Sequence, residues 1–368
     1  MAKKTPLYEE HLKAGGKVVD YAGWFLPVEY KGLVAEHEAV RNRVGMFDVS
    51  HMGEITLLGK DARRFADYLT TNNIKTLEDG RVIYGFLCKE DGGVVDDLLT
   101  YKASDTDIYL VVNASNVDKD YQWILDNKAG FDVEVTNVSD ETGEVAVQGP
   151  DAEKTLQKLT DYDLSSIPFF AFRRNVKIAG VDCMISRTGY TGEDGFEVYS
   201  TRDGIVKVWN AVLDAGKEFG LEPCGLGCRD TLRFEAALPL YGHEISADIT
   251  PLEAGFKFFV DLNKEDDFIG KKALTEQHAA GPKRKLIGME LLGKGIAREG
   301  VTITKDGKEI GYVTTGYLSP TLKKAIANVL VETDKAVVDS DVKAVIRNRE
   351  VDAKLISKKF LNKNTKSK

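Results

Sequence analysis

Residues 84–101 read YGFLCKEDGGVVDDLLTY, and this stretch decides the fold class that we predict. Two apolar runs, Tyr84–Cys88 and Val94–Tyr101, flank a polar segment, Glu90–Gly93, that ends in two glycines. Apolar runs separated by a short glycine-containing turn are typical of an antiparallel β-hairpin. The chain therefore contains local strand pairs, which excludes a purely helical fold.

The segments on either side of this hairpin alternate between helical and strand periodicity. Apolar residues recur at helical spacing before it, at Ala62, Phe65 and Leu69, and after it, within Val117–Leu125. Gly195–Tyr199 alternates apolar and polar residues, which predicts a half-buried strand. Helices mixed irregularly with hairpins favour an α+β fold over a doubly wound parallel sheet.

The composition changes near residues 281–285, which read GPKRK. Short strands with tight turns follow, beginning with Val301–Thr304 and Glu309–Thr314. Their spacing is typical of a small β-barrel or sandwich. We therefore divide the chain into an α+β region of two interleaved lobes, residues 1–280, and a C-terminal β-barrel domain, residues 281–368.

The overall composition limits the class of protein. The chain has 368 residues, of which 43% are hydrophobic and 29% charged, so it is a folded globular protein rather than a disordered or collagen-like one. Its net charge of −8 argues against nucleic acid as a partner. There is no apolar stretch of roughly 20 residues to span a membrane, and Met1–Glu10 has no secretion signal. We expect a cytoplasmic protein.

Common catalytic and cofactor motifs are missing from the sequence. There is no phosphate-binding P-loop, no dinucleotide fingerprint after a strand and no nucleophile elbow. Cys224 and Cys228 have three residues between them, and no second cysteine pair completes a zinc site. We expect reduced thiols, no bound metal and no nucleotide cofactor.

Two adjacent acids interrupt the second apolar run of the hairpin. Because side chains alternate along a strand, either Asp96 or Asp97 must point to the buried face. A buried acid costs about several kcal/mol unless it is paired, so its presence indicates a functional site. The alternative is an edge strand on which both acids reach water.

Two glycine-rich polar segments are further candidates for a ligand site. Residues 186–199 read SRTGYTGEDGFEVY, a composition that suits a loop wrapped around a flat polar ligand. Further along, Arg229 and Arg233 lie four residues apart on one helix face behind a glycine-rich turn. These arginines bind a ligand carboxylate, or else they pair with the neighbouring Asp230 and Glu235.

Together these segments resemble the glycine cleavage T-protein family, and the resemblance extends from Thr5 to about Lys359. It implies a three-lobed fold around a central folate site, with a β-barrel as the last lobe. Seven segments carry the resemblance and occur in the family's order: Asp48–Glu54, Gly92–Leu99, Asn113–Asn116, Val147–Pro150, Arg187–Tyr199, Gly225–Arg233 and Leu240–Glu244.

The resemblance implies an aminomethyltransferase with tetrahydrofolate as its co-substrate. Such an enzyme transfers the methylene of an aminomethyl group, carried on the lipoyl arm of the H protein, to tetrahydrofolate. Ammonia, 5,10-methylenetetrahydrofolate and the dihydrolipoyl protein are the products. The alternatives are a related folate-dependent demethylase and a non-catalytic folate-binding protein. A folate-dependent amine oxidoreductase would need a flavin domain, for which the chain has neither the fingerprint nor the length.

The family's site residues map onto this chain one by one. Asp96 matches the catalytic aspartate, which we expect to orient folate and stabilise the cationic transfer species, with Asp97 on the opposite face. The predicted folate-binding residues are Met52, Tyr84, Asn113, Tyr190, Glu197, Arg229 and Lys363. A carboxylate such as Glu197 can accept both donors of the pterin edge, and tyrosines cover flat rings. Lys363 follows a tail without the family's usual proline.

Overall fold

The computed structural model describes residues 2–361, in which strands predominate over helices. The helices are α1 Tyr8–Lys13, α2 Leu33–Asn42, α3 Ala62–Leu69, α4 Val117–Asp126, α5 Ala152–Gln157, α6 Arg202–Ala215, α7 Leu226–Glu235 and α8 Lys271–Ala280. No helix in this range is long and apolar enough to cross a membrane.

The strands build four sheets. In chain order they are β1 Lys3–Lys4, β2 Val18–Tyr21, β3 Trp24–Pro27, β4 Gly45–Asp48, β5 Gly53–Leu58, β6 Arg81–Cys88, β7 Val94–Ser104, β8 Asp107–Val112, β9 Glu134–Asn137, β10 Thr142–Gln148, β11 Phe172–Ile178, β12 Val181–Ser186, β13 Gly195–Thr201, β14 Glu222–Pro223, β15 Arg284–Leu291, β16 Thr302–Lys305, β17 Lys308–Leu318, β18 Ala325–Glu332, β19 Asp341–Ile346 and β20 Arg349–Ile356.

Three lobes follow from these sheets. The first is a six-stranded sheet, β11-β12-β13-β10-β4-β14, against which α6 buries Trp209. The second is a five-stranded sheet, β6-β7-β8-β5-β9, covered by Phe65 of α3 and Ile124 of α4. The third is a closed barrel, β15-β18-β17-β16-β19-β20, with its own apolar core. A small sheet, β1-β3-β2, precedes them. This architecture confirms the predicted α+β class and the barrel.

The hairpin predicted at residues 84–101 is present as β6 and β7. The two strands pair antiparallel, with Leu87 opposite Asp96 and Phe86 opposite Asp97. A β-bulge follows Leu87, and β7 lies between β6 and β8 in the interior of its sheet. The edge-strand alternative for the two acids is therefore wrong.

One local prediction differs from the structure. The strand within Gly195–Tyr199 is buried on both faces rather than one, because its polar residues, Glu197 and Tyr199, face the other lobe instead of water. The basic segment at 281–285 leads directly into the first strand of the barrel, since Arg284 and Lys285 belong to β15. Alternation in sequence shows which residues share a face, but not what covers that face.

A buried ion pair joins α7 to the segment before the barrel. The Nη1 of Arg233 is 2.8 Å from a carboxylate oxygen of Glu244, and both side chains are 1% exposed. The other Glu244 oxygen accepts a hydrogen bond from Thr314 of the barrel at 3.0 Å. Burial would raise the pKa of Glu244, but Arg233 outweighs it and holds the pKa below its ordinary value. The pair is therefore ionised and connects α7 to the barrel.

We expect Glu244→Gln to destabilise the protein by about 3 kcal/mol, because it leaves the buried guanidinium of Arg233 without its main counter-charge. The loss is at the lower end for a broken buried pair since Asp230 still accepts from Arg233 at 2.7 Å. Urea unfolding followed by circular dichroism measures the change. The control is Glu350→Gln in the same barrel, whose half-exposed partner Lys343 predicts a loss below about 1 kcal/mol. Equal losses would contradict a structural role for the buried pair.

Candidate active site

A cavity of about 590 Å³ lies between the lobes. Its walls come from β6 and β7 of the second lobe, from β10 and β13 of the first, from α7, and from the barrel through Tyr317. The residues named here from its lining are His51, Met52, Tyr84, Asp97, Leu98, Leu99, Asn113, Glu144, Tyr190, Glu197, Arg229, Arg233, Tyr241, Phe256 and Phe259. A cavity of this size and mixed polarity is suited to a small organic ligand.

The structure brings most of the predicted site residues together. Six of them line the cavity: Met52, Tyr84, Asn113, Tyr190, Glu197 and Arg229. Asp96 is fully buried and is not part of the lining, whereas Asp97 is 9% exposed and is part of it. Lys363 lies outside the described residues.

The structure places Asp97, rather than the expected Asp96, in the wall of the cavity. Leu98 and Leu99, which alternation places on the faces of Asp96 and Asp97 respectively, both line the cavity, so strand alternation alone does not assign the cavity to one face. Of the two carboxylates, the one in the cavity lining belongs to Asp97. The direction depends on how β7 faces the other lobes, which the local sequence pattern does not contain.

Hydrogen bonds hold both carboxylates of the pair. The hydroxyl group of Tyr84 donates to Asp97 at 2.9 Å, and the side-chain amide of Asn113 donates to Asp97 at 2.8 Å. The same amide donates to Asp96 at 2.9 Å, and the backbone N–H of Asn113 donates to Asp96 at 3.1 Å. Asn116 adds another donor to Asp96 at 2.8 Å. Asn113 thus couples the buried acid to the one that faces the cavity.

The surroundings of Asp97 bring the pKa of its carboxyl group close to neutral pH. Burial, followed by the negative charge of Asp96, raises the pKa of Asp97 to about 7. The pKa of Tyr84 is raised well above its ordinary value by burial and by Asp97, so its hydroxyl group remains a donor. Asp97 is consequently a carboxyl group that gains and loses a proton in the physiological range.

The opposite wall combines an acid, an arginine and an aromatic ring. Glu197 is 7% exposed and accepts a short hydrogen bond from the hydroxyl group of Thr188, and burial raises its pKa. The guanidinium carbon of Arg229 lies 4.9 Å from the centre of the Tyr190 ring. Tyr190 donates a short hydrogen bond to the carbonyl of Pro239, which fixes the ring plane. Such a wall offers acceptors, donors and a flat surface together.

Sequence reasoning missed several polar residues of the cavity, among them Glu144 and His51. Glu144 is 2% exposed, and its Oε2 has no hydrogen-bond partner among the described residues. His51 is 6% exposed, and burial followed by the charge of Arg229 lowers its pKa to about 4, so its ring is neutral. An acid within the apolar run of β10 is the same signal that drew attention to Asp96 and Asp97, and it would have found Glu144.

One group of potential metal ligands lies outside the cavity. In the described range, Glu36, Cys224 and Cys228 place ligand atoms within 4.8 Å of one another. The carboxylate of Glu36, however, already accepts hydrogen bonds from four backbone N–H groups, those of Tyr30, Lys31, Gly32 and Gly225. Burial raises the pKa of Cys224, which keeps it a thiol. These contacts explain the cluster as structural hydrogen bonding.

The fold and the cavity define a protein of three lobes with a site for a small polar ligand between them. Residues 7–264 match the family model described as the GCVT N-terminal domain, and residues 284–362 match the glycine cleavage T-protein C-terminal barrel domain. An aminomethyltransferase of Thermoanaerobacter sp. (strain X514) is 55% identical over 99% of each chain. One of Alkaliphilus metalliredigens is 54% identical over 99% of each chain.

A solved structure agrees with these sequence matches. The crystal structure of glycine cleavage system aminomethyltransferase T from Bartonella henselae superposes with a TM-score of 0.91, at 30% identity and 98% coverage of both chains. The chain belongs to the glycine cleavage T-protein family, and it is an aminomethyltransferase. The family predicted from the ordered sequence segments is confirmed.

The site predicts a titration that can be observed directly. We expect the carboxyl carbon of Asp97 to titrate near pH 7 in carbon-13 NMR of aspartate-labelled protein. Asp96→Asn removes the adjacent negative charge, so the pKa of Asp97 should fall in that variant. Asp118→Asn, an exposed change on α4, is the control and should leave the titration unchanged. A titration near the ordinary value of about 3.9 would contradict the coupling.

Proposed function

We propose that this aminomethyltransferase holds tetrahydrofolate in the central cavity and transfers to it the methylene carried by an aminomethyl-lipoyl arm. The observation that carries the proposal is the pairing of two walls across one cavity: Glu197 with Arg229 on one side and the Asp97 carboxylate on the other. The wall with Glu197 and Arg229 suits recognition of a pterin ring, and the wall with Asp97 suits the folate nitrogen that reacts with the methylene. The products are ammonia, 5,10-methylenetetrahydrofolate and the dihydrolipoyl carrier.

Pterin recognition follows from the donors and acceptors of the ring. The pterin edge presents a 2-amino group and a ring N–H, and the carboxylate of Glu197 accepts both hydrogen bonds. Arg229 donates to the oxygen of the ring, and its planar group is held over Tyr190. Tyr84 and Met52 supply apolar surface for the ring faces. These residues bind and orient folate before the reaction.

The reaction exchanges two bonds at the methylene carbon for two others. The carbon loses its bonds to the ammonia nitrogen and to the sulfur of the arm, and it gains bonds to N5 and N10 of folate. The hydrogens of N5 and N10 pass to the departing nitrogen and sulfur, which leave as ammonia and a thiol. N5 is unprotonated at neutral pH, so no strong base is needed. The carbon is cationic as its bonds change, and an ionised Asp97 stabilises that charge in a site of low dielectric. We therefore transfer the catalytic role predicted for Asp96 to Asp97 and give Asp96 a supporting one.

The lipoyl arm must reach the cavity from a carrier, which we propose is the H protein of the glycine cleavage system. Phe256 and Phe259 line the cavity, and Phe258 between them is 91% exposed. An exposed aromatic ring beside the cavity lining is suited to the apolar chain of a lipoyl group. We also propose that tetrahydrofolate acts without a bound metal or nucleotide.

We propose a cytoplasmic location. All four cysteines are buried and free of disulfides, which suits a reducing compartment.

The first test separates catalysis from binding. Asp97→Asn should keep most of the folate affinity but lower turnover about 100-fold or more, because it removes a preorganised charge at the reacting carbon. Asp96→Asn should have a smaller effect, since Asp96 does not face the cavity. The rates are measured with tetrahydrofolate and an aminomethyl-loaded lipoyl carrier protein. A larger loss from Asp96→Asn would return the catalytic role to Asp96, and folate binding without turnover in the unaltered protein would favour a non-catalytic folate-binding protein.

The second test concerns the pterin. Glu197→Ala should weaken tetrahydrofolate binding by about 1.5–3 kcal/mol, because the ring donors lose a charged acceptor. Glu197→Gln keeps the shape of the side chain but not its charge, and it should fall between Glu197→Ala and the unaltered protein. Isothermal titration calorimetry measures the affinities. Unchanged affinity in a folded Glu197→Ala variant would remove Glu197 from the folate site.

A further inference from the structure

Helix α4 places a third buried acid, Asp120, behind the Asp96–Asp97 pair. Asp120 is fully buried, and no N–H or O–H group of the described residues donates a hydrogen bond to either of its carboxylate oxygens. The Nζ of Lys119 is 3.5 Å from one of them, but it donates a short hydrogen bond to the carbonyl of Val95 and lies over the ring of Tyr241. An ionised carboxylate in this position costs about several kcal/mol, so Asp120 needs a proton.

Asp96 supplies the acceptor for that proton. Asp120 lies beside Asp96, because the Nζ of Lys119 is 3.5 Å from the Asp120 carboxylate and also bonds to the carbonyl of Val95, the residue before Asp96. The two acids interact with each other, and Asp96 is fully buried as well. Two buried carboxyl groups in contact hold one proton between them, because two adjacent negative charges repel strongly at low dielectric. The pair therefore carries one negative charge rather than two.

The surrounding donors decide which acid keeps the proton. Asp96 accepts two hydrogen bonds from Asn113 and one from Asn116, so its oxygens already serve as acceptors. Asp120 accepts none from the described residues, so its protonated form is favoured and its O–H points to Asp96. Burial, followed by the hydrogen bond to Asp96, accordingly raises the pKa of Asp120 to about 10.

A continuous string of hydrogen bonds then connects α4 to the cavity. Asp120 donates to Asp96, and the side-chain amide of Asn113 donates both to Asp96 and to Asp97. The titratable or charged groups that face this string from the packed elements are Lys119 on α4, Tyr84 on β6 and Tyr190 from the opposite wall.

We propose that Asp120 is a positioning residue for the transfer reaction: its carboxylic acid group donates a hydrogen bond to Asp96 and, through Asp96 and Asn113, holds the Asp97 carboxylate in its orientation toward folate. The proposal rests on the role proposed above for Asp97. Without the donor, the Asp96 carboxylate is free to rotate, and the amide of Asn113 no longer has a fixed acceptor on that side. The orientation of Asp97 then loosens, and misplacement of a reacting group by about 1 Å can cost roughly 100-fold in rate.

Two substitutions at Asp120 test whether its hydrogen bond, rather than the volume of its side chain, is required. Asp120→Leu has a similar volume but no donor, and it should lower kcat about 10-fold with little change in the KM for tetrahydrofolate. Asp120→Asn keeps a neutral donor at the same place, and it should restore kcat to within about 3-fold of the unaltered enzyme. The matched control is Asp118→Asn on the exposed face of α4, which should match the unaltered enzyme.

Infrared spectroscopy tests the proton itself without substrate. In the difference spectrum between the unaltered protein and Asp120→Asn at neutral pH, we expect the carbonyl stretch of one protonated carboxylic acid to disappear. The other buried acids with strongly raised pKa values, Glu54 and Glu144, are present in both proteins and cancel. Because no folate is added, this result does not depend on whether Asp97 acts in the reaction.

Three outcomes would overturn the proposal. The first is the absence of a protonated acid band that depends on Asp120. The second is an Asp120→Asn variant as slow as Asp120→Leu, which would mean that the charge of Asp120 matters rather than its proton. The third is an Asp120→Leu variant as fast as the unaltered enzyme.

If Asp120→Leu does not fold, the rate of Asp120→Asn and its infrared spectrum still decide. A normal rate for Asp97→Asn would instead contradict the role of Asp97 and leave the infrared test of Asp120 intact.

Discussion

The buried ion pair between Arg233 and Glu244 is the interaction on which the arrangement of the three lobes depends. Two charges in an apolar interior cannot separate without a large loss of free energy, so the elements that carry them stay together. Arg233 lies one turn after Arg229 on α7, and Arg229 lines the cavity. Glu235, at the end of the same helix, bonds to Arg41 of α2 and to Thr321 of the barrel. One short helix therefore sets both the contact between lobes and the position of the ligand-facing arginine.

The cavity concentrates acids that a stable core would avoid. Asp96, Asp97 and Glu144 all lie within or directly behind its walls, and each is buried. In a medium of low dielectric, some of these carboxyl groups keep their protons at neutral pH and act as hydrogen-bond donors, while the ionised ones act as acceptors. Such a mixture suits a flat polar ligand whose edge presents both donors and acceptors. Buried acids depart from the local rules of a stable apolar core, and departures of this kind are typical of functional sites.

Much of the secondary structure could be predicted from the pattern of apolar and turn-forming residues alone. The hairpin of β6 and β7, the helix α4 and the strand β18 follow from apolar periodicity and turn residues, which act over a few neighbouring positions. The strands β15 and β20 were missed, since the first begins in a basic segment and the second follows a short turn among charged residues. They pair with each other, and β15 also pairs with the distant β18.

By itself, the sequence determined the α+β class, the family and the set of chemical groups that meet in the site, because ordered motifs and local periodicity are properties of the chain. It also showed that one of two adjacent acids must be buried. Only the tertiary structure decided that Asp97 faces the cavity, that Asp96 lies behind it and that Asp120 from α4 stands against Asp96. The reason is physical: alternation along a strand defines two faces, but packing of one lobe against another decides which face borders the ligand and which is closed by a helix.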